Sequence, residues 1–417
     1  MKSRVRVTLP PLDVFFLPHV SDFLRIALGD SGSFPRLIKT MANAAGVEAP
    51  HLNTLKKAEQ KPVTLSTAMK IKRVWHASIP DKQFRESIEA AVEPWNGLQL
   101  KNNGSSWVAA LAGADKSKIG SALNGSRVAS FLEKRMVQEK TFLDWVKQET
   151  SRQPNKQHDP AVWIRRGQDF LREYTLVDPA LISLIAEIDH TATNPESAEW
   201  RKGKSILHLV NHQLRIDFYY TLLCELTLDV ADHLVVHGAY EAHKQQLVDQ
   251  GFVGDIAPQT SAQEAPSEKD RPLIRLFEVW KYRLSELNGC DFSYRRMASY
   301  LPLPRDCSEE EFASRAFETP ADHKYGKLKR WRKGTIPDLS DFETFIARLC
   351  AGHDSDHYLA WMKAQVALAW GRLIDEEEEA LASIATTHPD LQCFNAIGSY
   401  SAYWNHYQKQ AADISAA

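Results

Sequence analysis

Apolar residues recur at helical spacing along most of this chain, and almost nowhere do they alternate as a half-buried strand would require. The spacing predicts helices over 161–174, 179–188, 200–215 and 216–250, with Leu207, Val210, Leu214 and Phe218 on one stripe. A further amphipathic helix spans 272–287 through Leu273, Phe277, Trp280 and Leu284. Residues 5–9 are the one candidate strand, and Pro10-Pro11 would stop it. The polar stretch 151–158 predicts a loop. The Ala-, Pro-, Ser-, Gln- and Glu-rich stretch 255–271 predicts a linker.

Punctuation within the N-terminal helical pattern is more specific. Ala42 stands four residues before Gly46, Leu52 six after it and Leu55 nine after it, with Pro62 beyond. A small residue at 42 lets two helices cross closely, and a glycine at 46 takes the left-handed conformation that ends the first of them. Leu52 and Leu55 would pin the second helix to a small core with Met69 and Ile71 or Val74. His51, Asn53, Thr54 and Lys57 would then point outward, where such a helix reads a major groove. Residues 34–75 resemble the phage-repressor (Cro-type) helix-turn-helix family, with Lys56 where an acid is common and Glu48 where a small polar cap is usual. The resemblance implies DNA contact through the exposed face of the second helix.

The motif returns at 107–126. Ala112-Gly113 is followed by Ile119 six residues after the glycine and Leu123 one turn later, ending in Asn124-Gly125-Ser126. This segment is similar to the helix-turn-helix of the lac-repressor family. The likeness implies a second helix capped by Asp115. Lys116, Ser117 and Lys118 would stand at its N-terminus, where backbone N–H groups favour phosphate, with Asn124 and Arg127 at its end. A third, divergent copy lies at 327–337 and can be laid on Asn53-Thr54-Leu55 and the stretch to Pro62, or one turn earlier on Leu52–Leu55; in the second alignment Leu328 and Trp331 form the buried pair and Pro337 opens a loop into Phe342, Phe345, Ile346 and Leu349. Its preceding helix is expected near 294–301, across a polar insert from 302 to 322. Lys324, Lys327, Lys329, Arg330, Arg332 and Lys333 make it the most basic run of the chain.

These readings give an all-α protein with several helix-turn-helix units embedded in a larger helical framework. The expected divisions are an N-terminal helix-turn-helix domain (1–100), a second unit (101–150), a helical middle domain (151–254), the linker (255–271) and a C-terminal helical domain (272–417).

The formal net charge of −2 over 417 residues hides a division. The first eighty residues are basic, and the balancing acids sit elsewhere, most obviously at Asp375-Glu376-Glu377-Glu378-Glu379. Positive charge therefore coincides with the helix-turn-helix patterns, as nucleic-acid binding needs. Five cysteines without zinc-ribbon or CxxC spacing imply a reducing compartment, hence the cytoplasm. No run is long and apolar enough to span a bilayer, and the N-terminus lacks a secretory apolar core.

The chemistry candidates are sparser. His190, His208, His212, His233, His237 and His243 crowd the middle domain, several of them four apart. A metal site would need them to converge from at least two helices. There is no P-loop or dinucleotide fingerprint. The aromatic cluster Trp361, Trp370, Tyr400, Tyr403, Trp404 and Tyr407 reads as helical core rather than as a base-stacking platform.

The leading expectation is a non-catalytic nucleic-acid-binding protein with no cofactor, DNA preferred to RNA. It would serve as a regulator or as the DNA-binding subunit of a mobile-element or phage-defence system. Protein partners or self-association would accompany the nucleic acid. The alternatives are a protein-interaction scaffold with degenerate helix-turn-helix units and a helical metal-dependent enzyme using the histidines.

Overall fold

The computed structural model describes residues 17–29, 33–60, 64–78, 126–152, 160–189, 196–260, 264–304, 319–353 and 356–414, together with Lys82, Glu86, Trp107 and Phe312. Fifteen α-helices and no strand occur among the described residues, so the class is all-α. Residues 5–9 and the 107–126 motif, apart from Trp107 and Ser126, lie outside them. No described helix is long and apolar enough to cross a membrane. The chain divides into two compact units: residues 1–233 with 383–391, and residues 234–382 with 392–417.

The first unit opens with α1 (Val20–Leu28), α2 (Phe34–Ala44), α3 (Leu52–Gln60) and α4 (Leu65–Ser78). Against α2 pack both α3 and α4, around a small core of Ile38, Ala42, Leu55 and Val74. Gly46 follows the C-cap of α2 with φ +66°, and the Val47 N–H returns to the Ala42 carbonyl at 3.0 Å. No heavy atom stands within 4 Å of where a Cβ on Gly46 would sit, so the constraint there is backbone conformation alone. Gly46→Val is therefore expected to cost roughly 1–2 kcal/mol or more. Hydrogen exchange of α2–α4 checks this, and Gly46→Asn should cost less.

Two expected core members lie elsewhere. Met69 is 64% exposed, because Ile71, Val74, Trp75 and Ser78 occupy the inward stripe of α4 and position 69 falls outside it. Leu52 is only half-buried, because it is the first residue of α3.

The remainder of this unit is built on α5 (Arg127–Arg152), α6 (Pro160–Tyr174), α7 (Pro179–Ile185) and α8 (Ala198–Val236), whose last three residues belong to the second unit. The helices expected over 200–215 and 216–250 are divided differently. A single 39-residue helix runs through Arg215–Ile216, and the break comes at Gly238, with φ +69°, before α9 (Tyr240–Gln250). The apolar stripe supports continuation at 215–216, and only a glycine supplies the reversal.

Phe23, Trp107, Phe131, Phe218 and Tyr219 form an aromatic cluster, with Phe23 and Trp107 centroids 5.2 Å apart. Beneath it Arg135 meets Asp217 at 2.8 Å, both side chains being almost fully buried. The other Asp217 oxygen accepts from the Leu176 N–H at 2.7 Å, and Arg135 also donates to the Tyr174 carbonyl. Asp229 on α8 caps α5, accepting from the Arg127 and Val128 N–H groups at 2.7 and 3.1 Å.

The second unit contains α9, α10 (Pro272–Asn288), α11 (Tyr294–Ala298), α12 (Pro320–Trp331), α13 (Leu339–Ala351), most of α14 (His357–Thr387) and α15 (Tyr400–Asp413). Residues 255–271, expected as a linker, lie inside it. Two short 3₁₀ turns there pack on α10, Ile256 is fully buried, and Arg271 pairs with Asp375 and with Glu378. In the described part of this polar, proline-bearing stretch, Thr260 donates to the Phe394 carbonyl and Ser267 to Asp270.

Asp255, in the same stretch, stands 2.6 Å from the ammonium of Lys363. Burial lowers the Lys363 ammonium from 10.5 to about 8 against the opposing pull of Asp255. Between those values the unfolded chain holds the proton that the native state has lost, so this lysine makes stability rise with pH across that window. Denaturant unfolding of the wild type and of Lys363→Met, compared at both ends of the window, should show the rise only in the wild type.

The aromatic cluster of the C-terminal segment is core. Trp370 and Tyr400 lie 5.1 Å apart, and Tyr403, Trp404 and Tyr407 are buried on α15.

Candidate nucleic-acid interface

The N-terminal unit presents its cations on three helices. Lys39 on α2, Lys56 and Lys57 on α3, and Lys72 and Arg73 on α4 are exposed, whereas the acids of residues 33–78 are Glu48 and Glu59. Among the described residues Glu48 meets Lys70 at 3.9 Å, with both side chains in solvent, a contact of little energetic weight. Asn53 and Lys57 are exposed on α3 and Thr54 is half-buried beside them. His51 is exposed but plays a local part: its Nδ1 accepts from the Asn53 N–H at 3.3 Å, at the start of α3. The helix thus begins at Leu52, after Ala49-Pro50, and Glu48 is not its cap. Pro50 is buried, and its ring disfavours helical backbone at Ala49, so the helix starts beyond that residue.

Of the second motif, Lys116, Ser117, Lys118 and Asn124 lie outside the described residues. Arg127 is described, and it is engaged: its guanidinium meets Asp232 at 2.7 Å. That hydrogen bond holds the Arg127 guanidinium above its ordinary value.

The third motif is assembled from α11, α12 and α13. Ser293 caps α11 by accepting from the Arg296 N–H, and Thr319 caps α12 by accepting from the Asp322 N–H. The buried pair on α12 is Leu328 and Trp331, and Trp331 meets Phe342 and Phe345 of α13 edge-on, 5.4 and 6.0 Å between centroids. This core divides the basic run. Lys324 is buried on the inner side of α12. Lys327 pairs with Asp341 and lies over the Trp331 ring. Arg332 stacks on Tyr294, 3.4 Å from the ring centroid, and reaches Glu278 at 3.4 Å. Burial, with a hydrogen bond to Glu278, pushes the Tyr294 phenol well above its ordinary value. Lys329, Arg330 and Lys333 remain exposed at the C-terminal end of α12.

Sequence reasoning missed the Arg295-Arg296 pair. Arg295 stacks on Tyr325 and meets Asp322 at 3.1 Å, so it ties α11 to α12. Arg296 stacks on Phe292, 4.8 Å from the ring centroid. The signal was two adjacent arginines just ahead of the apolar Met297-Ala298, which places them on the outer side of a short helix.

The histidines of the middle segment do not gather. His208, His233 and His237 are exposed and His212 is half-buried. Among the described residues no three His, Cys, Asp or Glu side chains are grouped to hold a metal ion. Burial, then Lys204 and His212, lowers the His208 imidazole. His190 lies outside the described residues.

No family model, curated protein or solved structure matches this chain.

Proposed function

We propose that this chain is a nucleic-acid-binding protein without catalytic activity, DNA being the preferred target, and that it acts as a regulator or as the DNA-binding subunit of a larger system. The observation that carries the reading is the exposed set Lys39, Lys56, Lys57, Lys72 and Arg73 around a helix-turn-helix-like core, almost unopposed by acids. Cations placed this way meet phosphate, and the exposed Asn53 and the half-buried Thr54 are of the type that reads base edges. A second cationic group, Lys329, Arg330 and Lys333, ends α12.

Titration of the full chain with random duplex DNA at several salt concentrations tests the reading. Log affinity should fall linearly with log salt, with a slope of roughly −0.9 for each phosphate neutralised. Absence of duplex binding at low salt would remove it.

A second reading has its own support. Arg127, Lys327 and Arg332 are held by Asp232, Asp341 and Glu278, and Lys324 is buried, as in a module that uses its cations for architecture. A protein scaffold would show no salt-dependent duplex binding and would instead lose a protein partner when Lys329, Arg330 and Lys333 are replaced.

A further inference from the structure

The second unit carries a partly open pocket of about 390 Å³ that no step of the nucleic-acid reading uses. That volume lies within the range of small-ligand sites. Its walls are largely apolar, with Leu247 from α9, Trp280 and Leu284 from α10, and Ile346 and Leu349 from α13. Its polar groups are mostly donors: Lys363 from α14, Arg283 from α10 and Gln246 from α9.

These three donors converge on one carboxylate, with Lys363 Nζ 2.6 Å from each of its oxygens. Asp255 Oδ2 accepts from Lys363 Nζ at 2.6 Å, from Gln246 Nε2 at 3.3 Å and from Arg283 Nη2 at 3.3 Å. Arg283 also donates to Gln246 Oε1 at 2.6 Å. An ammonium carries three N–H groups and a guanidinium five, so one carboxylate and one amide oxygen leave donors over. Two cations thus share one half-buried acid; the Lys363 side chain is only 7% exposed, whereas that of Arg283 is 45% exposed.

The other titratable groups of the wall do not supply a second half-buried anion. Asp356 is exposed, and its carboxylate accepts from the Leu359 N–H in the first turn of α14. Burial pushes the Cys350 thiol up to about 11, so it is neutral. His243, half-buried, completes the set. With its own value at about 8, Lys363 remains mostly protonated at neutral pH.

We infer that this cavity binds a small monocarboxylate with an apolar body, its carboxylate taking the spare donors of Lys363 and Arg283 and its chain lying against Trp280, Ile346 and Leu349. The carboxylate adds a second anion beside the two cations and takes charge-assisted hydrogen bonds from them. This inference is independent of DNA binding and stands or falls without it.

Calorimetric titration of the full chain with octanoate, octanol and octylamine tests it. Octanoate should bind one to one and roughly ten-fold or more tighter than octanol, the range of one hydrogen bond to a charged group, and octylamine should not bind. Lys363→Met should reduce octanoate to the affinity of octanol while leaving octanol unchanged, and Lys363→Arg should keep the preference. Ile346→Trp, which fills the cavity without touching its charges, should abolish both. Circular dichroism shows which variants fold, and the wild-type comparison of the three ligands decides the matter whether or not they do. Equal affinity for octanoate and octanol, no binding of octanoate, or octanoate binding that survives a folded Lys363→Met or Ile346→Trp would each overturn the inference.

Discussion

Replacing Lys329, Arg330 and Lys333 together by alanine is expected to flatten the dependence of DNA affinity on salt, by up to about 2.7 in the log–log slope if each cation neutralises one phosphate. The three side chains are exposed at the end of α12, whereas Lys324, Lys327 and Arg332 of the same run are buried or held by partners. Their loss should leave the helix intact, because Leu328 and Trp331 carry its packing. Binding should weaken alike on every duplex sequence, since a phosphate contact carries no sequence information. Replacing Asn53 and Thr54 should do the opposite, shifting sequence preference with the slope nearly unchanged. The measurement is a salt series of fluorescence-anisotropy titrations on two or more duplexes. A triple variant with the wild-type slope would exclude α12 from the interface.

The largest stability effect is expected at Asp217. Its carboxylate is 1% exposed, 2.8 Å from Arg135, and it accepts the Leu176 N–H as well. Asp217→Ala leaves a buried guanidinium with its carboxylate gone and a backbone N–H without its acceptor. The expected cost is about 3–5 kcal/mol. The double variant Asp217→Leu with Arg135→Met should recover most of it, because the desolvation penalty then disappears with the charges. Lys202, 3.8 Å from Asp390 with both partners in solvent, provides the contrast: Lys202→Met should change stability by no more than about 1 kcal/mol. Denaturant unfolding of the full chain reads all three, and the loss should fall on the transition of the first unit. A cost under 1 kcal/mol for Asp217→Ala would mean that water reaches Arg135.

What the sequence made legible follows the range of the interactions. Ala42, Gly46 and Leu55 could be placed because a helix end, a left-handed turn and a one-turn spacing are local. Leu328 and Trp331 could be placed for the same reason, being three apart on one helix. The true start of α3 was not legible, because it depends on His51 accepting the Asn53 N–H rather than on the residue at 48. The sorting of the basic run was hidden as well: the partners of Lys327 and Arg332 are Asp341, Glu278 and Tyr294, supplied by three other helices. The polar stretch 255–271 misled because its composition reports solvent exposure on average. A single aspartate there, Asp255, meets a lysine more than a hundred residues away. For the candidate interface, residue types were readable, but which cations face solvent was not.

The division of the chain bears on its synthesis. Residues 383–391 belong to the first unit, and Ile384 and Leu391 are among its buried residues. Lys202 meets Asp390 within that same unit. A nascent chain cannot finish the first unit until residues 383–391 have been made. Most of the second unit, residues 234–382, leaves the ribosome earlier. The second unit needs residues 392–417 as well, which carry the buried Tyr400 and Trp404, so each unit stays open until a segment beyond residue 382 has been made, a departure from one domain finishing before the next begins.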